Sequence, residues 1–260
     1  MAAPYKQVVL FGDSLFEFCS SAQNGFSFQG ALQQRCMRGL DVVNRGLSYV
    51  LFLCLTRSLE QFEALSFALA DISLYNTSRG YNTRDAVDVF PKVFLPPSPS
   101  IPRIEYLVIT HDYIKQHNPK ILLCAPPPLE QTTSFERDRM RYPDHPEPSR
   151  TAAQSAQYSE AARQVASEVP GVVLVDLQKL IMNKAISMTP DYAPKEPELG
   201  HPGNKSAALQ ELLPDGLHMS GLAYKVFFEE VIKHLDVPDP EDLEQVRKFM
   251  VHPGWRDCEL

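Results

Sequence analysis

The chain has 260 residues, 44% of them hydrophobic and 22% charged, with a formal net charge of −7 and a pI near 5.5. Such a length and composition suit one globular domain that can bury most of its apolar surface. The acidic balance, with no dense lysine or arginine cluster, excludes the basic footprint of a nucleic-acid binder, so no nucleic acid is expected as a partner.

The first apolar run, residues 8–11 (Val8, Val9, Leu10, Phe11), is short and β-branched and stops at Gly12-Asp13-Ser14, the pattern of a buried strand entering a turn. Residues 15–38 carry scattered apolar positions with glutamine and alanine, which predicts helix over part of the stretch. Val42-Val43 predicts a second strand, followed by Asn44-Arg45-Gly46. A third is expected over 104–109, a fourth over 121–125 ending at Pro126-Pro127-Pro128, and a fifth over 172–175 ending in Asp176. Helices are expected over 151–168 and 220–235, and the sign-alternating string 136–141 reads as a solvated loop or helix face. Proline-rich 96–102 and 142–148 read as surface loops. The expected organisation is one domain over 1–236 and a tail over 237–260 with a short helix near 241–250.

Short apolar strands alternating with helices predict an α/β fold, a mostly parallel sheet covered on both faces. Ligands in such folds bind at the carboxyl ends of strands. Gly12-Asp13-Ser14, Asn44-Arg45-Gly46 and the triple proline all fall at such ends and gather at one rim.

The five cysteines are odd in number and include no C-x-x-C pair, which gives neither a zinc site nor a disulfide framework, and Cys124 reads as a small buried hydrophobe. His111 and His117 have no third ligand near them in sequence, so no metal is expected. Residues 1–6 lead straight into a short apolar run rather than a signal-peptide core, and the apolar stretch 49–55 is too short to cross a bilayer. The expectation is a protein without a membrane span, located in the cytoplasm.

A serine at a tight strand-to-helix turn projects its hydroxyl from the rim, where free helix N–H groups can stabilise a developing oxyanion. The alternative is that Ser14, or Asp13, caps the helix. Asp215-Gly216-Leu217-His218 places an acid three residues before a histidine, just ahead of a helix starting near Ser220. That spacing lets the carboxylate hold one imidazole nitrogen while the other takes a proton from a serine. Alone, such a string also reads as a polar surface turn.

Taken together, Leu10-Phe11-Gly12-Asp13-Ser14, Asn44-Arg45-Gly46-Leu47, Gly80-Tyr81-Asn82-Thr83-Arg84, Asp215-Gly216-Leu217-His218 and Trp255-Arg256-Asp257 resemble the GDSL/SGNH hydrolases, within them the isoamyl acetate-hydrolysing esterase group. The resemblance implies a flavodoxin-like three-layer α/β/α sandwich and a serine ester hydrolase acting on a small-molecule ester without a cofactor. It implies Ser14 as nucleophile, His218 as general base, Asp215 as its orienting acid, and the backbone N–H groups of Ser14 and Gly46 as oxyanion donors. Asp13, Phe16, Asn82 and Pro126 are the candidates for contacts with substrate.

The chain departs from the family in two places. No Gly-x-Asn-Asp block, whose Asn side chain is an oxyanion donor, follows the third strand, and residues 49–79 intervene before Gly80. An aberrant gene product, with a retained stretch and a matching loss, would carry both marks. The competing expectation is therefore a protein of this fold with impaired catalysis or none. A phosphate site at the Gly12-Asp13-Ser14 helix start lacks both a P-loop string and a basic partner.

Overall fold

A computed structural model of the chain describes residues 6–22, 25–46, 104–109, 120–144, 147–194 and 197–250. Five strands, β1 (Lys6–Gly12), β2 (Leu40–Gly46), β3 (Ile104–Ile109), β4 (Lys120–Ala125) and β5 (Val172–Asp176), form one parallel sheet in the order β2-β1-β3-β4-β5. This is the flavodoxin-like order, and its reversal between β1 and β3 is where open α/β sheets leave a crevice at the strand ends. Ser14 follows β1 directly, so the topology itself sets it at that crevice.

All five expected strands are present. The second is longer than expected: Asn44, Arg45 and Gly46 do not follow it but belong to it, in register with Leu10, Phe11 and Gly12 of β1. That register brings the Gly46 end of β2 beside the Ser14 turn.

The helices differ more. Residues 15–38 break into α1 (Ser14–Glu17), a 3₁₀ turn (Phe18–Ser20) and α2 (Phe28–Arg35), which Ser27 caps through Gly30 N–H at 3.1 Å. The sign-alternating string lies within α3 (Gln131–Arg141), whose N-cap is Glu130. The expected helix near 151–168 is α4 (Ala152–Glu168), opened by a capping box of Thr151 and Gln154. Two helices were not expected from sequence, α5 (Leu177–Ser187), capped by Asp176, and α6 (Ala207–Leu212), capped by Ser206. Helix α7 (Gly221–Val231) is capped by Ser220 and continues as a 3₁₀ turn over Ile232–His234. Helix α8 (Leu243–Phe249) follows, and Phe249 packs partly buried against the core.

Strand side chains alternate between faces. Val8, Leu10, Leu122, Cys124 and Val175 share one hydrophobic core with Phe28 and Leu32 of α2, Ile181 of α5, Leu209 of α6 and Phe227 of α7. The Phe28 and Phe227 rings stack at 4.4 Å and 13°. Val9, Phe11, Leu123 and Ala125, on the alternate positions, are equally buried outside that cluster. Helix α4 packs on β4 and β5, and its Ser159 hydroxyl donates to Pro126 O at 3.0 Å. The result is the expected α/β/α sandwich. Among the described residues no helix is long and apolar enough to cross a membrane. The insert 49–79, Asn82 and its string, the crossover 110–119, the loop 96–102 and Trp255 lie outside the described residues.

Candidate active site

The turn after β1 is built by Asp13, whose backbone is extended and whose carboxylate accepts the Leu15 N–H at 2.9 Å. Asp13 is thus the cap of α1, through one of its carboxylate oxygens. Ser14 is the first residue of α1 and half-buried. Helix α7 pins this turn from behind: the Tyr224 hydroxyl donates to Leu15 O at 2.6 Å.

The second turn folds around its own acid. Asp215 Oδ1 accepts the N–H groups of Leu217 (3.0 Å) and His218 (2.6 Å), which curls the chain back on itself. Its other oxygen then lies 2.6 Å from His218 Nδ1. With Nδ1 carrying its proton toward the carboxylate, the Nε2 lone pair faces the other way. There, 3.1 Å off, is Ser14 Oγ, 204 residues away in sequence. Burial pushes the Asp215 carboxyl up, but hydrogen bonds from the His218 ring and backbone and from Leu217 outweigh it and hold the group well below the usual carboxylate range.

Helix α3 seats this turn, and sequence reasoning missed it. The Glu130 N–H donates to Gly216 O at 2.9 Å. Gly216 has φ +80°, and a Cβ there would stand 2.5 Å from both Glu130 O and Ser134 N, so only glycine fits. Further along α3, Arg137 pairs with Asp215 Oδ2, the oxygen that faces the histidine.

The remaining candidates fare unequally. Ser14 N–H makes no hydrogen bond among the described residues, whereas Gly46 N–H donates to the Asn44 side chain at 2.7 Å. Gly46 is nonetheless a place of close approach, since a Cβ would meet Glu17 N at 2.2 Å. Asn44 does more than end a strand: its amide donates to Phe16 O at 2.7 Å and to Gln29 Oε1 at 3.2 Å, lacing β2 to α1 and α2. Phe16 is 1% exposed in the core, tilted on Phe227. Its neighbour Phe18, 44% exposed, sets its ring edge-on to His218 with centroids 5.2 Å apart. Pro126 is half-buried at the end of β4, where its carbonyl accepts from Ser159.

A cleft of about 930 Å³, lined by Glu160, Arg163, Asp176, Lys179 and Tyr192 among others, opens elsewhere and includes none of Ser14, Asp215 and His218. Its arginine is occupied by Asp176 and Glu160. Among the described residues no group of three or more His, Cys, Asp or Glu side chains is placed to hold a metal ion.

No family model matches the chain, and no curated protein matches it. Among solved structures, the chain is similar to an acetyl xylan esterase, AlAXEase, at 15% identity and TM-score 0.48, over 88% of this chain and 99% of that one. It is also similar to the C-terminal catalytic domain of the peptidoglycan O-acetyltransferase OatA of Streptococcus pneumoniae, at 12% identity and TM-score 0.39, over 90% of this chain and 97% of that one. Likenesses this distant carry no argument about the reaction, which rests on the side chains.

Proposed function

We propose that this chain is a serine ester hydrolase of the SGNH/GDSL kind, with Ser14 as nucleophile, His218 as general base and Asp215 as the acid that orients it. One observation carries the reading: a half-buried serine, a histidine and a carboxylate from opposite ends of the sequence stand in line at 3.1 and 2.6 Å at the switch point of the sheet. Two local turns have no structural need to meet in that order.

The chemistry follows from the geometry. Ser14 attacks the ester carbonyl as His218 Nε2 takes its proton; the imidazolium is stabilised by Asp215 and returns the proton to the departing alcohol. Water, activated by the same nitrogen, then releases the acid and restores the serine. The Ser14 N–H at the start of α1 is the oxyanion donor this reading relies on. No cofactor enters. Short-chain esters of modest alcohols, of the isoamyl acetate type, are the substrates that the sequence resemblance favours.

A second reading has its own observation. Gly46 N–H is taken by Asn44 and the Gly-x-Asn-Asp block is missing from the sequence, so the oxyanion hole is short of donors. Each lost donor costs about 10²–10³ in turnover. Hydrolysis of a chromogenic acetate ester, with Ser14→Ala as the blank, decides between them. Activity that vanishes in the variant supports the hydrolase. Equal background rates from two folded proteins would leave a chain that keeps the nucleophile without the catalysis.

A further inference from the structure

Hydrolysis leaves a neighbour of its base unused. Phe18 sets its ring edge-on to the His218 imidazole, with centroids 5.2 Å apart and planes at 78°, and 44% of the residue stays exposed. Leu15, Phe16 and Cys19, around it in sequence, are all buried, so this stretch sends those side chains inward and leaves the Phe18 ring beside the base. The ring has a fixed root. Phe18 N–H donates to Ser14 O and Phe16 O, and Phe18 O accepts the Ser21 N–H at 3.0 Å, so the turn that carries the nucleophile also holds the ring. A departing alcohol takes its proton from His218 Nε2, so its oxygen must come within hydrogen-bond reach of that nitrogen. The carbons that follow then lie beside the imidazole, within reach of the Phe18 ring.

We propose that Phe18 is the apolar wall of an alcohol subsite, at which a short alkyl alcohol competes with water for the acyl group on Ser14, so that the chain is an acyl transferase to alcohols as well as a hydrolase. The proposal rests on the serine hydrolase reading and extends it by reversing the acylation step. The place that releases one alcohol takes another in. The incoming oxygen bonds to the acyl carbon and its proton passes to His218 Nε2. The bond from that carbon to Ser14 Oγ breaks, and Oγ takes the proton back from the imidazolium. The products are a new ester and the free serine, and no further reactant is needed. Water is in large molar excess and prevails over any alcohol that is not held. The exposed ring supplies the hold: a methylene covered on one side gains about twofold, roughly half the free energy of a fully buried one. Water has no carbon to cover and gains nothing from the ring.

The test supplies p-nitrophenyl acetate as acyl donor together with ethanol, propanol or butanol, and measures the new acetate ester and free acetate by gas chromatography, with Ser14→Ala as the blank. The ratio of ester to acid is set after acyl-Ser14 has formed, so it does not depend on how fast a variant acylates. In the wild type that ratio should rise about twofold for each added methylene. Phe18→Ala should flatten the rise and lower the butanol ratio about fivefold, and Phe18→Leu should restore most of it. Phe18→Gln takes the place of the alanine variant if that one does not fold. Nitrophenol release that needs Ser14 but yields acetate alone overturns the transferase and leaves the hydrolase standing. Ester whose yield ignores the length of the alcohol, or is the same without the ring, removes the subsite from Phe18. No release above the blank sinks both readings.

Discussion

Phe16 and Phe18 stand two residues apart and face opposite ways. Phe16 belongs to the one-turn helix α1, whereas Phe18 is its C-cap and opens the 3₁₀ turn that follows. Phe16 fills the core against Phe227, while Phe18 lies edge-on to His218 with much of its ring in solvent. Replacing Phe16 with Ala should destabilise the protein by about 3–5 kcal/mol, read from urea melts. Replacing Phe18 with Ala should leave the melt nearly unchanged and instead raise KM about five- to tenfold for esters of apolar alcohols, the loss of roughly 1–1.5 kcal/mol of apolar contact. A Phe18 variant that unfolds, or whose KM is unmoved across alcohols of rising size, would remove that ring from the substrate's path. Asn44 makes a third case. Asn44→Ala leaves Phe16 O and Gly46 N–H without their partner and should cost about 1–3 kcal/mol in the same melts.

At the scale of elements, the decisive contact is α3 against the turn that carries the acid and the histidine. Gly216→Ala would force a side chain onto Glu130 O and Ser134 N at a positive φ. It should lose about 1–3 kcal/mol of stability and, with it, a larger share of Ser14-dependent hydrolysis than any equal loss elsewhere, because Asp215 and His218 flank the displaced residue. Activity that falls only in step with the folded fraction would show that the seat does not matter. The same helix explains what the sequence could and could not disclose. The strands were legible because each carries a short apolar run, in β2 only Val42-Val43, and the two site turns because each is made of neighbours in sequence. Helix α3 has only Ser134 buried, so no apolar stripe announces it, and Arg137 reaches Asp215 only after the fold has formed. Helix α5 was legible in principle, with Leu177, Ile181 and Ala185 buried at four-residue spacing. Its cap, Asp176, also ends β5, and the sharp strand-to-helix join hid the start.

Among the described residues, the shifted carboxylates share a sign. Asp176 is pushed up by burial but pulled lower by the hydrogen bonds of Arg163 and of Lys179 N–H. Glu230, likewise raised by burial, is brought down by Lys233 and His234, and Asp215 is held low by His218 and Leu217. A carboxylate whose folded state holds its proton less tightly than the unfolded chain adds stability above the unfolded value near pH 4, and that stability drains away as the pH falls through the folded one. The urea midpoint should therefore be nearly flat from pH 7 to 5 and then fall steadily toward pH 3. The Arg163–Asp176 pair ties α4 to the end of β5 at the sheet edge, with side chains 33% and 17% exposed, so it contributes on the order of 1 kcal/mol after screening. Asp176→Asn should lower the stability read from the melt at pH 7 by that amount, and its gap to the wild type should narrow as the pH falls below the ordinary carboxylate range. A gap that does not narrow as the pH falls would mean that this pair takes no part in acid unfolding, and that the acid limb belongs to the active-site turn and the end of α7.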